Sequence, residues 1–245
     1  MKEIIKKIRV YDVEDLKLKE NKWLKDRVMK LHGDINVDHE YWNDFIEEQF
    51  IDKLKSKGFY DIKPYYRLAF SQGDGASCDC RIDFKDALKL TGNNLSKIEQ
   101  WCMNNDLVEI DPIVFYVNGH YYHENEIRCE EPEPQLYFDY ILKPYSLDFL
   151  RQFKLETLYL SKEMEREFED IAYMAFQYSI SKVINETLTY LKEQCRKYYR
   201  ELHDYYLQAT DEDAVFETFS IHGYWFNESG DIEDLTDKSV IIKEA

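Results

Sequence analysis

Two short polar motifs contain the side chains that could do chemistry in this chain. The first is SQGDGAS, residues 71–77, in which Gly73 and Gly75 flank Asp74. Glycine allows a close approach of the backbone, so this turn could present N–H groups to an anion, with Asp74 as an acid, a base or a metal ligand. The glycine spacing matches neither a P-loop nor a dinucleotide-binding turn. The alternative is a hairpin turn in which Asp74 bonds to its own backbone.

The second motif runs from His120 to Glu126 and reads HYYHENE. On a strand, alternate side chains share a face, so the even-numbered residues would line one surface and His123 the other. A metal site using both histidines is therefore disfavoured unless a bulge intervenes. If the two hairpins adjoin, His123 and Asp74 could form an acid–base pair. Otherwise His123 is a hydrogen-bonded structural histidine.

The cysteines allow a third hypothesis. Cys78 and Cys80 would share one face of a strand, and zinc would need two further ligands, which Cys129 or His120 could supply. The alternative is that these thiols are small buried hydrophobes. Because the five cysteines are an odd number without a framework spacing, we expect reduced thiols, no bound metal and no cofactor.

The net charge of the chain limits the kinds of partner that it can bind. The chain has 32 basic and 49 acidic residues, a net charge of −17, which disfavours nucleic acid and anionic membrane and favours a basic protein surface. Nine acids and no Lys or Arg lie in residues 211–237, and six more acids lie in residues 124–139. The alternative is a solvated surface that keeps the protein dispersed. We expect a basic partner to bind mainly through the C-terminal acids, with Glu212, Asp213, Asp231 and Asp234 as candidate binding residues.

The elements that must position these residues predict an α+β fold. Helical spacing predicts helices over residues 12–31, 39–57, 83–90 and 95–106. The first of these helices is expected to begin at an approximate capping box formed by Asp12 and Asp15 and to end at Gly33. A mainly antiparallel sheet is expected because two hairpin signals, the glycine-rich turn and Asn118-Gly119, connect strands locally. Its strands are predicted near residues 4–11, 65–71, 77–84, 109–117, 120–128 and 219–226.

One long helix is predicted over residues 161–208, followed by an acidic β-rich end. It contains a heptad seam from Ile184 to Tyr205, which could pack on the protein's own sheet or its first two helices, or could pair with a second copy as a homodimer. We predict an α+β core over residues 1–145, and the helix with the acidic unit over residues 146–245. No run of apolar residues reaches membrane-spanning length and the start lacks a signal-peptide core, so a cytoplasmic protein is expected.

The order of several motifs along the chain carries a family resemblance. IRVYDVEDL, WNDFIEEQF, FSQGDGAS, GHYYHE, FEDIA and FNESGD occur in that order, and SQGDGAS is the most specific. In this respect the chain resembles a bacteriophage-encoded family whose members are often labelled "antitoxin of toxin–antitoxin stability system". The resemblance implies a phage origin and a host-directed or replication-accessory role.

Two functions from different classes follow. The first is a phage accessory protein, in the host cell cytoplasm, that binds and blocks a host protein through an acidic, nucleic-acid-like surface. The second is a hydrolase or nuclease-like enzyme that acts on a phosphate-containing substrate through Asp74 and His123. Besides the four C-terminal acids, the candidate binding residues are Gln72, Gly73, Asp74, Gly75, Ser77, His120 and Tyr122.

Overall fold

The computed structural model describes residues 9–37, 41–68, 74–119, 122–137 and 162–233. These residues form α-helices and strands whose pairings are all antiparallel, which confirms the predicted α+β class. The chain divides into two compact units, one of residues 1–46 with 200–245 and one of residues 47–199. This division differs from the predicted boundary at residue 145.

In chain order, the described helices and strands are β1 (Val10–Tyr11), α1 (Val13–Lys17), α2 (Lys22–His32), α3 (Tyr41–Lys55), β2 (Phe59–Arg67), β3 (Gly75–Ile82), α4 (Phe84–Thr91), α5 (Lys97–Asn104), β4 (Val108–Glu109), β5 (Ile113–Val117), β6 (Ile127–Glu130), β7 (Gln135–Leu136), α6 (Lys162–Ala209), α7 (Glu212–His222), β8 (Trp225–Asn227) and β9 (Ile232–Glu233). Two short 3-10 turns are also present: Lys19–Asn21 directly precedes α2, and Glu124–Glu126 directly precedes β6. No helix in these ranges is long and apolar enough to cross a membrane.

The helix predicted over residues 12–31 is two helices. Asp12 and Asp15 form a capping box at the start of α1, each carboxylate accepting from the other residue's backbone N–H. Leu18 is extended (φ −69°, ψ 141°), and the Asn21 side chain donates to the Asp15 carbonyl at 2.7 Å. This side-chain bond satisfies a carbonyl at the end of α1 and separates it from α2. Gly33 ends α2, as predicted.

The core of the first unit combines residues from both ends of the chain. The strand order is β1-β8-β9, and the buried cluster contains Tyr11, Val13, Leu16, Leu24, Val28, Val215, Phe216, Phe219 and Phe226. The strand predicted at residues 219–226 is wrong over most of its length, because α7 extends to His222. Asp211 caps α7 by accepting from two backbone N–H groups, and Gly223 ends it at φ 64°. The C-terminal end therefore contains one helix and two short strands, rather than the β-rich unit that was predicted.

The second unit contains a four-stranded sheet in the order β2-β3-β5-β6. The predicted hairpin around the glycine-rich turn is confirmed by β2 and β3, although β2 begins at Phe59 rather than at Tyr65. The strand predicted over residues 109–117 is split, because β4 pairs with β7 in another sheet while β5 joins the four-stranded sheet. Pro112, which has no N–H to donate, lies in the break.

The link between β5 and β6 is not the predicted tight hairpin. The backbone pairing of β3 with β5 ends at Cys80 and Phe115. Beyond that point the backbone of β5 is hydrogen-bonded by the side chain of Asp79 instead of by the backbone of β3. Its Oδ1 accepts from Val117 N and its Oδ2 from the Tyr65 hydroxyl, both at 2.8 Å. The 3-10 turn Glu124–Glu126 occupies part of the predicted return strand, so β6 begins only at Ile127.

The long helix is confirmed as α6, a single helix of 48 residues. Its residues 162–199 belong to the second unit and residues 200–209 to the first. Within the second unit the seam residues Ile184, Leu191, Cys195 and Tyr198 are buried, and the Tyr198 ring stacks on Phe50 with 4.5 Å between centroids. That stretch of the seam therefore packs within its own chain, which was the first of the two expectations.

Candidate functional site

The two polar motifs meet at Gly75 in the second unit. Gly75 is buried at the start of β3, and a β carbon added there would lie 2.8 Å from the Tyr122 carbonyl oxygen and 3.1 Å from His123 Cα. Any other residue would push these backbones apart. The contact therefore joins the two motifs at Gly75, the residue after Asp74, and at the backbone of His123. Gln72, Gly73 and His120 lie outside the described residues.

The carboxylate of Glu124 links His123 to the long helix. Arg196 Nε donates to Glu124 Oε1 at 2.8 Å, and His123 Nδ1 lies 2.9 Å from Glu124 Oε2. The Glu124 side chain is only 10% exposed, whereas those of His123 and Arg196 are 40% and 51% exposed. One nearly buried carboxylate thus holds two exposed nitrogen groups at the surface. The sequence reasoning placed Glu124 on the face opposite His123, and it did not single out Arg196 at all.

The tautomer of His123 decides what this group can do. The Asn125 N–H group donates to His123 Nδ1 at 3.3 Å, whereas the contact of Nδ1 with Glu124 is close in distance but does not have the alignment of a hydrogen bond. Because Nδ1 accepts this bond, the neutral ring carries its proton on Nε2. The Nε2–H group is then a hydrogen-bond donor.

Asp74 lies on the side of this group toward residue 199 of the helix. Burial and then the nearby Asp74 charge raise the pKa of Tyr199, which is one helical turn beyond Arg196. The Tyr122 ring, next to His123 in the sequence, stacks on Tyr65, with 5.6 Å between centroids and 10° between planes.

Ser77 and the cysteines are interior groups. Ser77 is fully buried, and its Oγ has no hydrogen-bond partner in the part of the chain that the structure describes. Cys78 and Cys80 are buried on one face of β3, and Cys78 Sγ lies 3.8 Å from Cys195 Sγ. Although the Cys195 contact lowers it, the bond to Cys80 and burial together raise the pKa of Cys78 well above its usual value. Thiols of that kind behave as hydrophobes.

The zinc hypothesis finds no cluster of ligands. Over the described ranges, no three His, Cys, Asp or Glu side chains lie close enough to hold a metal ion. His120, one of the further ligands considered, is outside those ranges.

A second surface feature is an acidic groove along the long helix. It has a volume of about 440 Å³ and is lined by Glu131, Pro132, Glu133, Met174, Gln177, Tyr178, Ile180 and Ser181. Met174 is 61% and Tyr178 74% exposed, so apolar surface is open between acidic side chains. Burial, then Glu131 and Glu130, raise the pKa of Cys129 to about 12.

The C-terminal acids lie in the first unit among basic groups. Glu212 forms an ion pair with Lys25, and the Arg27 side chain donates to the Ser229 carbonyl. Asp231 accepts weakly from the Asn227 side chain at 3.4 Å. Asp213 is exposed, and Asp234 lies outside the described residues. The positive charges of α2 therefore offset part of the negative field of this end.

Comparisons with family models, with curated proteins and with solved structures gave no match for this chain.

Proposed function

We propose that this is a bacteriophage accessory protein that binds and blocks a host protein, in the host cytoplasm, through an acidic surface that resembles nucleic acid. The observation that carries the proposal is the acidic groove, residues 131–133 with 174–181. The motif order shared with a phage-encoded family supports a host target. The net charge of −17 supports a basic one.

The groove combines two kinds of contact that a basic protein segment would need. Glu131 and Glu133 form an exposed negative rim, which would attract Lys or Arg side chains during approach. Met174 and Tyr178 form an exposed apolar floor, which a neighbouring aliphatic or aromatic side chain would cover. Charge would thus speed association, and apolar burial would slow dissociation.

The groove is a better main contact than the C-terminal acids. Glu212 is already paired with Lys25, so binding a new cation there means losing an existing ion pair. Among the residues that the structure describes, Glu131 accepts a 3.3 Å hydrogen bond from the Ser181 hydroxyl and forms no ion pair. We therefore assign the C-terminal acids Glu212, Asp213 and Asp231 a secondary, long-range contribution.

Charge-reversal variants test the proposal. The target is captured from host lysate with the wild-type protein, purified, and its association rate measured against Glu131→Lys/Glu133→Lys and against Glu212→Lys/Asp213→Lys, which change the net charge equally. We expect the groove variant to associate roughly tenfold more slowly at low salt, and the C-terminal variant to change less. Raising the salt concentration should lower the association rate of the wild type toward that of the groove variant.

An apolar pair of variants tests the floor of the groove. Tyr178→Ala removes an exposed ring from the groove, and Ile221→Ala removes an equally exposed side chain from α7 in the first unit. We expect the complex of Tyr178→Ala to dissociate about tenfold faster than that of the wild type. The dissociation rate of Ile221→Ala should equal that of the wild type. Equal effects of the two charge reversals, or binding of the wild type to DNA or RNA at physiological salt, would reject the proposal.

A further inference from the structure

The outward face of α2 in the first unit combines exposed lysines with an exposed aromatic ring. Lys22 and Lys30 lie about 12 Å apart along the helix axis, and the Trp23 ring is 51% exposed. Lys25 on the same helix is paired with Glu212. In contrast, neither Lys22 nor Lys30 forms an ion pair with the residues that the structure describes. This face therefore leaves two cations and half of an indole ring open to a partner.

The local charge of the α2 face is opposite to that of the whole protein. Asp26 lies between the two lysines and offsets one of them, while Arg27 adds a positive charge and donates to the Ser229 carbonyl. Lys19 and Glu20 on the preceding turn offset each other. At physiological salt, exposed charges more than about 8 Å apart are largely screened. An acidic partner that docks on α2 therefore meets mainly this positive face, and not the net charge of −17.

The acidic groove of the second unit has the complementary features. Its rim carries Glu131 and Glu133, which match the lysines of α2 in charge. Its floor exposes Met174 and Tyr178. A Trp ring packs favourably against a Tyr ring and against the thioether of Met, so the floor matches Trp23 as well. The chain thus carries both halves of one complementary contact.

We propose that α2 of a second copy of this chain occupies the groove when the host target is absent. In this contact Trp23 covers Met174 and Tyr178, and the two lysines lie at the acidic rim. The contact uses the groove of the proposed function and so rests on it. Because the two surfaces differ, each copy offers its groove to one neighbour and its α2 face to another. Such a heterologous interface builds a ring or an open chain of copies.

Self-association and host binding then compete for one groove. A basic host segment finds the groove only in the fraction of copies from which α2 has dissociated. The apparent affinity for the host target is reduced by that fraction. The chain therefore binds its target best when it is dilute, and its own concentration regulates the groove.

Complementary charge reversals test the contact by analytical ultracentrifugation of the full chain. Lys22→Glu/Lys30→Glu alters only the α2 face, and Glu131→Lys/Glu133→Lys alters only the groove. Each variant alone should be monomeric at concentrations at which the wild type forms larger species. An equimolar mixture contains one unaltered groove and one unaltered α2 face, so it should associate again. A wild type that is monomeric up to millimolar concentration, a variant that associates alone, or a mixture that stays monomeric would overturn the contact.

Two controls separate the contact from a general effect of charge or of apolar surface. Lys85→Glu/Lys97→Glu, at exposed positions of α4 and α5, makes the same charge change as the α2 variant and should associate as the wild type does. Trp23→Ala should raise the dissociation constant of self-association about tenfold, whereas Ile221→Ala should leave it unchanged. Equal effects within either comparison would contradict the assigned surfaces.

The α2 variant also separates self-association from the proposed function. Lys22→Glu/Lys30→Glu keeps an unaltered groove, so it should lose self-association and bind the captured host target at least as tightly as the wild type. A wild type that is monomeric and still binds the target would overturn self-association alone. A wild type that associates through both surfaces but captures no host protein would overturn the proposed function alone.

Discussion

Gly75 lies directly against the backbone of His123, so that a hydrogen atom occupies the only space a side chain could take. This approach brings together two motifs that are far apart in the sequence. The glycine acts through the space that it leaves open for the backbone at Tyr122 and His123.

Replacing Gly75 with alanine should therefore strain the site. We expect a loss of about 1–3 kcal/mol in the free energy of unfolding, as for other overpacked positions, and a change in the His123 ring signals. Denaturant unfolding and NMR measure the two effects. Gly119→Ala is the matched control, because its β carbon would meet only the movable carboxylate of Glu126. Equal losses for both variants would contradict this account.

The Asp79 carboxylate should contribute more to the free energy of unfolding than the Tyr65 hydroxyl that binds to it. Asp79→Ala leaves the Val117 N–H without its acceptor and releases the Tyr65 hydroxyl, so we expect a loss of about 1–3 kcal/mol. Tyr65→Phe removes only one of the two bonds and should lose about 1 kcal/mol. Chemical denaturation of the two variants gives the comparison. If Asp79→Ala were no worse than Tyr65→Phe, the bond to Val117 would have no role in holding β5.

The Glu124–Arg196 pair should show measurable coupling. In a double-mutant cycle with Glu124→Gln and Arg196→Gln we expect about 1–2 kcal/mol of interaction energy, because Glu124 is nearly buried. The exposed pair Lys197–Glu193, with a shorter separation of 2.7 Å, should give less than about 0.5 kcal/mol. Unfolding free energies of the wild type and of the variants in both cycles decide the matter. A coupling at Glu124 as small as that of the exposed pair would mean that burial adds nothing.

Alkaline pH should destabilise the protein through its buried thiols. Burial, then Glu99, raise the pKa of Cys102 from 9.0 to about 12. The native state therefore keeps a proton that the unfolded state loses, so this stability is complete below pH 9 and disappears between pH 9 and 12. Cys102→Ala should reduce the slope of unfolding free energy against pH in that window by up to about 1.4 kcal/mol per pH unit. An unchanged slope would contradict the assigned pKa.

Short sequence signals correctly predicted the helix ends and the turn that are determined by residues close together in the sequence. The Asp12–Asp15 capping box, the helix stop at Gly33 and the hairpin around the glycine-rich turn were all correctly placed. At α7 the apolar run from Phe219 to Phe226 favoured a strand, although the cap at Asp211 and the glycine at 223 are helix signals. The helix is stabilised because Phe216 and Phe219 pack into the core of the first unit, and this tertiary contact outweighs the local preference.

The candidate sites depended on contacts that no local pattern contains. The contact of Arg196 with Glu124 joins residues 72 positions apart. The alternation rule assigned His123 to the face opposite Glu124, and it failed because residues 124–126 form a 3-10 turn. The groove requires an acidic loop and a distant helix segment to come together, so its parts were visible in the sequence but their proximity was not.

The pairing of Val10 with Asn227 has a consequence for how the protein is made. Roughly 200 residues lie between these partners, so the ribosome must synthesise the chain past Asn227 before the first unit can complete its core. The second unit is continuous in sequence and is synthesised in full before α7 emerges. During that interval Leu16, Leu24 and Val28 lack the phenylalanines that cover them in the finished fold. A chain that stops before residue 212 leaves them uncovered permanently, so premature termination yields a substrate for chaperones and proteases rather than a shorter working protein.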